Sequence, residues 1–311
     1  MATTEQLQER IKELKKSKKA IILAHYYTRP EVQQVADFVG DSLQLARAAQ
    51  GTDADIILFA GVHFMGETAK VLSPDKKVLI PDPEAGCSLA DSCPADDFAR
   101  FIEAHPGHTV VSYVNTSVAV KALTDIVCTS SNALQVVSSI PESTPVIFGP
   151  DRNLGSYIKS MTGRKNMVIW DGACHVHERF SLEAILRLKS EHPGARVLVH
   201  PECKQQIVLI ADHVGSTAAL LDYARKSDAD EFIVVTEPGI IFKMQEACPD
   251  KRFIPAPPTD SSCACNDCSY MKLITLPKII DTLENELNAI EIPEEVAKKA
   301  IKPILRMLEI K

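Results

Sequence analysis

The sequence predicts an α/β protein of three similar domains, each a parallel sheet flanked by helices, related by a pseudo-threefold axis with the active site at their junction. Three observations predict it. Three 19-residue segments align without a gap: "AHYYTRPEVQQVADFVGDS" at 24–42, "SYVNTSVAVKALTDIVCTS" at 112–130 and "VHPECKQQIVLIADHVGST" at 199–217, at offsets of 88 and 87 residues. Around each, short apolar runs alternate with stretches of helical spacing, the signature of βαβ units and parallel sheets. Each unit then closes on a cysteine, Cys87, Cys174 and one of a cluster at 263–268.

Within each unit the elements follow one order. An apolar run opens it, "AIILA", "TVVS" or "ARVLV". Apolar residues at helical spacing come next: Val32 and Val35, Val120 and Leu123, Ile207 and Ile210. An Asp-x-Val follows, with Asp37, Asp125 and Asp212, which reads as a structural tie between strand and helix. After Ser42, Ser130 and Ser216-Thr217 come the helical stretches "LQLARAA", "NALQVVSSI" and "AALLDYARKS". Two more apolar runs complete the unit. The division expected is 1–90, 91–176 and 177–271, units of a size that folds independently. The segment 272–311, punctuated by Pro293 and Pro303, reads as C-terminal helices packing back on the first domain.

The 311 residues carry a net charge of −7 with both signs interspersed, which points away from nucleic-acid and membrane-surface partners. No apolar run approaches the ~20 residues of a membrane span. The polar N-terminus, "MATTEQLQERIKELKKSKK", reads as an amphipathic helix and not a signal peptide, so a cytoplasmic location is expected. Nine cysteines, an odd number, then argue for reduced thiols over a disulfide framework. Cys128 and Cys248 read as small core residues.

Ligands of parallel α/β units bind beyond the carboxyl ends of the strands. There the first strand of each repeat ends in polar residues two apart, whose side chains share a side: His25 and Tyr27, Tyr113 and Asn115, His200 and Glu202. Three equivalent positions so equipped predict one shared pocket. Ser42, Ser130, Ser216 and Thr217 read as N-caps, and helix N-termini facing a common cavity suit a small, multiply anionic substrate. Cys87, Cys174 and one cysteine of "SSCACNDCSYM" form a triangle of thiolates, one per domain. That local C-x-C-x-x-C lacks the fourth ligand of a structural zinc site and the four-cysteine ferredoxin run. Three thiolates suit either an iron–sulfur cluster with one iron open or a zinc holding a water. Repeat arithmetic places the third thiolate near 261–264, which favours Cys263.

"AHYYTRPEVQQVADFVGDSLQLAR", "YVNTSVAVKA", "DGACHVH", "HPEC", "VGST", "TEPG" and the cysteines before "YMK" together resemble the quinolinate synthase family, from about Ile21 to about Lys278. The resemblance implies a transferase of NAD (pyridine nucleotide) biosynthesis that condenses iminoaspartate with dihydroxyacetone phosphate to quinolinate, phosphate and two waters. It implies a [4Fe–4S] cluster on three cysteines, its open iron a Lewis acid in dehydration. The ligands matching the family are Cys87, Cys174 and Cys268, so the resemblance and the repeat arithmetic disagree on the third; the roles of Cys263 and Cys265 stay open. Tyr27 resembles the family's catalytic tyrosine, with His25 beside it, and His200 and Glu202 match its proton-transfer pair. Tyr113 and Asn115 orient carbonyl or hydroxyl groups. Ser42, Ser130, Ser216 and Thr217 hold carboxylates and phosphate. His177 is read equally as a neighbour of the cluster and as a surface residue. An enzyme that supplies iminoaspartate is an expected partner. The alternatives are an aconitase-like hydro-lyase, a non-enzymatic iron–sulfur redox or scaffold protein, and a zinc hydrolase.

Overall fold

A computed structural model describes residues 2–259 and 266–310. Twelve strands among them form three four-stranded sheets, all parallel. The first holds β1 (Ala20–His25), β2 (Phe38–Gly40), β3 (Ile56–Ala60) and β4 (Lys77–Leu79), in the order β2-β1-β3-β4. The second holds β5 (Thr109–Tyr113), β6 (Ile126–Cys128), β7 (Val146–Gly149) and β8 (Met167–Ile169), and the third β9 (Arg196–Val199), β10 (His213–Val214), β11 (Glu231–Val235) and β12 (Arg252–Pro255). Their orders, β6-β5-β7-β8 and β10-β9-β11-β12, repeat the first. Register repeats as well: Leu23 faces Phe38, Val111 faces Ile126 and Leu198 faces His213. The middle strands are apolar because helices cover both of their faces; β3 and β7 are buried along their whole length.

The Asp-x-Val aspartates are what fixes this register. Asp37 Oδ2 accepts the Ile22 N–H, Asp125 Oδ2 that of Val110 and Asp212 Oδ2 that of Val197, each at 2.8 Å. The backbone answers in each unit, with the aspartate N–H donating to the carbonyl of the same strand residue at 2.9–3.0 Å. Each aspartate thus clamps the segment before the edge strand onto the first strand, aligning the strand tips that carry the polar pairs. Asp125→Ala is the cleanest test, because Asp37 also pairs with Lys15 and Asp212 with Arg196. It is expected to lower unfolding free energy by about 1–2 kcal/mol in urea titration, the loss of one hydrogen bond to a half-buried N–H. A change indistinguishable from zero would leave the repeated clamp without energetic meaning.

After the third sheet the chain returns to the first. The helix Leu276–Asn285 packs on the N-terminal helix Thr4–Ser17 and on β3. The last helix, Glu294–Glu309, does not stay on the first unit as expected: it lies against β6 and the short helix Val118–Lys121 as well as against His63–Leu72. Its buried Ala300, Ile304 and Met307 join a core shared by the first two units. The Asn132 amide ties it there, donating to the Met307 carbonyl at 2.9 Å.

Candidate functional site

In a sheet of order 2-1-3-4 the crevice opens beyond the strand tips, between the strands where the chain reverses direction across the sheet. All three sheets aim these tips at one cavity. His25 ends β1 and Tyr113 ends β5, while His200 follows β9 directly. All six strand-tip residues line the cavity, as do Ser42, Ser130 and Thr217. So do Cys87, Cys174 and Cys268, with free thiols. Ser216 does not line it and acts one step back, its hydroxyl accepting the Ala219 N–H.

Ser216 is the N-cap expected of it, but Ser42 and Ser130 are not N-caps. Asp41 caps the helix Ser42–Gly51, its carboxylate accepting the Gln44 N–H at 2.9 Å while the Gln44 amide oxygen accepts the Asp41 N–H. Asp outranks a following Ser here because the glutamine at the third helical position completes a capping box. Ser42 therefore sits in the first turn. In the second unit Asn132 occupies the cap position and turns its side chain back to the Thr129 N–H, so Ser130 sits in the turn before the helix. The Asp41 carboxylate also weakens the anion-binding reading for the first corner. Among the described residues lining the cavity there is no Lys or Arg, so an anionic ligand meets hydroxyls there and not their charged side chains.

The polar pairs form one network across units. The Tyr113 hydroxyl donates to Glu202 Oε1 at 2.5 Å, joining the second unit to the third. The Tyr27 hydroxyl lies 2.7 Å from Thr236 Oγ1, joining the first to the third. Thr236 also holds His177, whose Nε2 lies 3.0 Å away. His177 stacks on His200 at 4.7 Å, and His200 Nε2 lies 3.2 Å from Ser130 Oγ. His177, left undecided by the sequence, is thus 2% exposed and central. Burial pushes His25 and His200 down to about 3, so both are neutral at pH 7. Burial also opposes charge on Glu202, but His177, His200 and the Tyr113 hydroxyl outweigh it and hold the carboxyl at about 2. Burial raises Tyr27 and Tyr113 well above the usual phenol range, so both stay protonated. The Asn115 Oδ1 atom is buried without a partner among the described residues, an acceptor on a residue lining the cavity.

Each cysteine is held by backbone. Cys87 and Cys174 occupy equivalent places, each just before a one-turn helix, Ser88–Asp91 and His175–Glu178. A 2.6 Å contact between Ser88 Oγ and His175 Nδ1 links the two turns. The Cys174 N–H donates to Asp151 Oδ2. Cys268 is pinned by a set of residues the sequence did not single out. Its N–H donates to Glu237 Oε1 at 3.2 Å, and the same carboxylate pairs with Lys272 Nζ at 2.6 Å. Lys272 also donates to the Tyr27 carbonyl, and the Asn266 amide donates to the Val176 carbonyl beside Cys174. Burial nonetheless pushes Glu237 up to about 7, against the pull of Lys272. Cys263 and Cys265 lie outside the described residues.

Burial raises all three thiols, Cys87 to about 12 and Cys268 to about 11, as it raises the core thiols Cys93 and Cys128. Among the described residues only Cys174, His177 and Glu202 bring three ligand atoms within 4.8 Å of one another. The three cysteine sulfurs therefore do not converge on a single-ion site. One thiol per unit, all facing one cavity and spaced too widely for one ion, fits a multi-iron cluster better than a mononuclear zinc.

Fold and site thus define an α/β protein whose three sheets converge on a thiol-lined, proton-transfer-capable cavity, and no helix among the described residues is long and apolar enough to cross a membrane. Comparison with known proteins makes the class particular. Residues 9–309 match the family model described as "Quinolinate synthetase A protein". The quinolinate synthase of Nostoc punctiforme is 56% identical over 300 residues, 96% of this chain and 92% of the relative. That of Thermosynechococcus vestitus is 55% identical, over 96% and 94%, and that of Chloroherpeton thalassium 54%, over 97% and 94%. The chain belongs to the quinolinate synthase family, a family of enzymes.

Proposed function

We propose that the chain is a transferase of NAD biosynthesis that condenses iminoaspartate with dihydroxyacetone phosphate, releasing quinolinate, phosphate and two waters. The observation that carries this reading is the joint lining of one buried cavity by three free thiols, one from each unit, and by Tyr27, His200 and Glu202. It works as three units, 1–90, 91–176 and 177–271, in the cytoplasm, beside an enzyme that supplies iminoaspartate. Cys87, Cys174 and Cys268 would hold a [4Fe–4S] cluster. Such a cluster, when bound, supplies a Lewis acid that makes hydroxide a workable leaving group.

The residues of the chain supply the rest. Tyr27, protonated and oriented by Thr236, donates to an oxygen that gains charge. Glu202, ionised, is the base, with the Tyr113 hydroxyl on Oε1 and His177 Nδ1 3.1 Å from Oε2. Neutral His200, between Ser130 and Glu202, carries a proton between the hydroxyl side and the carboxylate side of the cavity. His25, with its ring 4.5 Å from that of Tyr27, packs the phenol in place. Asn115 Oδ1 accepts an N–H or O–H from substrate. Ser42, Ser130 and Thr217, the last at a helix start capped by Ser216, offer hydroxyls and N–H groups to carboxylates and phosphate.

Anaerobically purified chain is expected to be brown, with about four irons, and to form quinolinate from the two substrates. A colourless chain with one zinc and no quinolinate would sink this reading. Full iron with dehydration of simple hydroxy acids, and no quinolinate, would turn it into a hydro-lyase.

A further inference from the structure

His177 presents an unusual atom. Its Nε2 is engaged by Thr236, yet its Nδ1 is buried and has no aligned hydrogen bond among the described residues, although Glu202 Oε2 lies only 3.1 Å away. The approach is close but out of hydrogen-bond alignment. The thiol of Cys174, three residues before on the same turn, completes a set whose ligand atoms all lie within 4.8 Å. A thiolate, an imidazole and a carboxylate are zinc ligands. With Zn–N near 2.0–2.1 Å and Zn–O near 2.0–2.2 Å, tetrahedral geometry requires an N···O edge of about 3.3 Å. The observed edge is already close to that.

The surroundings are those of a metal site. The outer nitrogen of a ligating histidine is normally held by a polar group, and ligating carboxylates are normally hydrogen-bonded themselves. Here Thr236 holds His177 Nε2, the Tyr113 hydroxyl holds Glu202 Oε1, and Asp151 holds the Cys174 N–H. His177 is 2% and Glu202 3% exposed, so their orientation is fixed before any ion arrives.

We propose that the chain without its iron–sulfur cluster binds one zinc ion through Cys174 Sγ, His177 Nδ1 and a Glu202 carboxylate oxygen, with water in the fourth position. The Cys174 proton leaves to solvent as the zinc–sulfur bond forms. Zinc so bound excludes the cluster, since both take the Cys174 thiolate. The exclusion rests on the cluster reading above; zinc binding itself does not.

Full-length chain stripped of metal by chelator is titrated with Zn²⁺ in equilibrium dialysis. Wild type takes up one equivalent. His177→Ala and Glu202→Gln each weaken it by at least about tenfold, the loss that disturbing even an outer-shell partner produces. Cys87→Ser and Cys268→Ser leave it unchanged, which separates this site from the cysteine triangle. Co²⁺ in place of zinc gives thiolate-to-cobalt absorption that Cys174→Ser removes and Cys87→Ser keeps. No binding by wild type, unaltered affinity in both His177→Ala and Glu202→Gln, or loss in Cys87→Ser overturns the site. Iron and sulfide uptake is then measured with and without saturating zinc. Failure of uptake only with zinc supports exclusion; full iron uptake with zinc still bound overturns it. Failure in both samples refutes the cluster reading and leaves the zinc titration standing.

Discussion

Tyr27→Phe is expected to lower kcat/KM for quinolinate formation about 100- to 10,000-fold, the range a positioned proton donor contributes. Iron content and fold should not change. The phenol is held by one polar contact, Thr236 Oγ1, and by ring packing on His25, and phenylalanine keeps the ring packing. What phenylalanine removes is the proton. Burial, aided by the nearby Glu202 and Glu237 carboxylates, keeps that proton on the oxygen far above neutral pH, which suits the proposed role of donor and not that of phenolate base. The companion change Thr236→Val tests orientation instead. It leaves the phenol but removes the shared contact to Tyr27 and His177, so it should cost less than Tyr27→Phe. If Tyr27→Phe turns over normally with full iron, the tyrosine has no part in the chemistry.

How much of this is readable in the sequence depends on whether a residue repeats. The aspartate clamps are legible because the same bond is made three times at the same spacing, and each copy vouches for the others. The strand-tip pairs are legible for the same reason: three sheets of one order must aim equivalent residues at one point. Thr236, Glu237 and His177 belong to no repeated pattern. Thr236 and Glu237 follow β11 and act on Tyr27 and Cys268, some 209 and 31 residues away in sequence, contacts no local spacing encodes. "TEPG" marks the position without saying what it touches. His177 is a different case. A histidine one turn after a cysteine reads equally as surface or site, and only its 2% exposure decides. The misplaced cap at Ser42 has a plain cause: Asp41 and Ser42 are both good N-caps, and the capping glutamine at 44 chooses between them.

The same asymmetry separates the two positions for the third cysteine ligand, and Cys268→Ser is expected to lose most of the roughly four irons that the wild type, Cys263→Ser and Cys265→Ser all retain. Repeat spacing favours Cys263, but the third unit departs from the other two at this point. In the first two units the cysteine opens a one-turn helix eight and five residues after the last strand ends, at Leu79 and Ile169. In the third, β12 ends at Pro255, and Cys268 comes thirteen residues later, fastened by partners from elsewhere. Asn266 binds the Val176 carbonyl next to Cys174, Glu237 takes the Cys268 N–H, and Lys272 reaches the Tyr27 carbonyl. These bonds tie Cys268 to the Cys174 turn, the tip of β11 and Tyr27. They also predict that Glu237→Gln weakens iron retention without removing a ligand, because the carboxylate both accepts the Cys268 N–H and anchors Lys272. Iron counted per chain after anaerobic purification decides the matter. Full iron in Cys268→Ser together with loss in Cys263→Ser would restore the register of the repeat and leave the Glu237–Lys272 clasp a purely structural device.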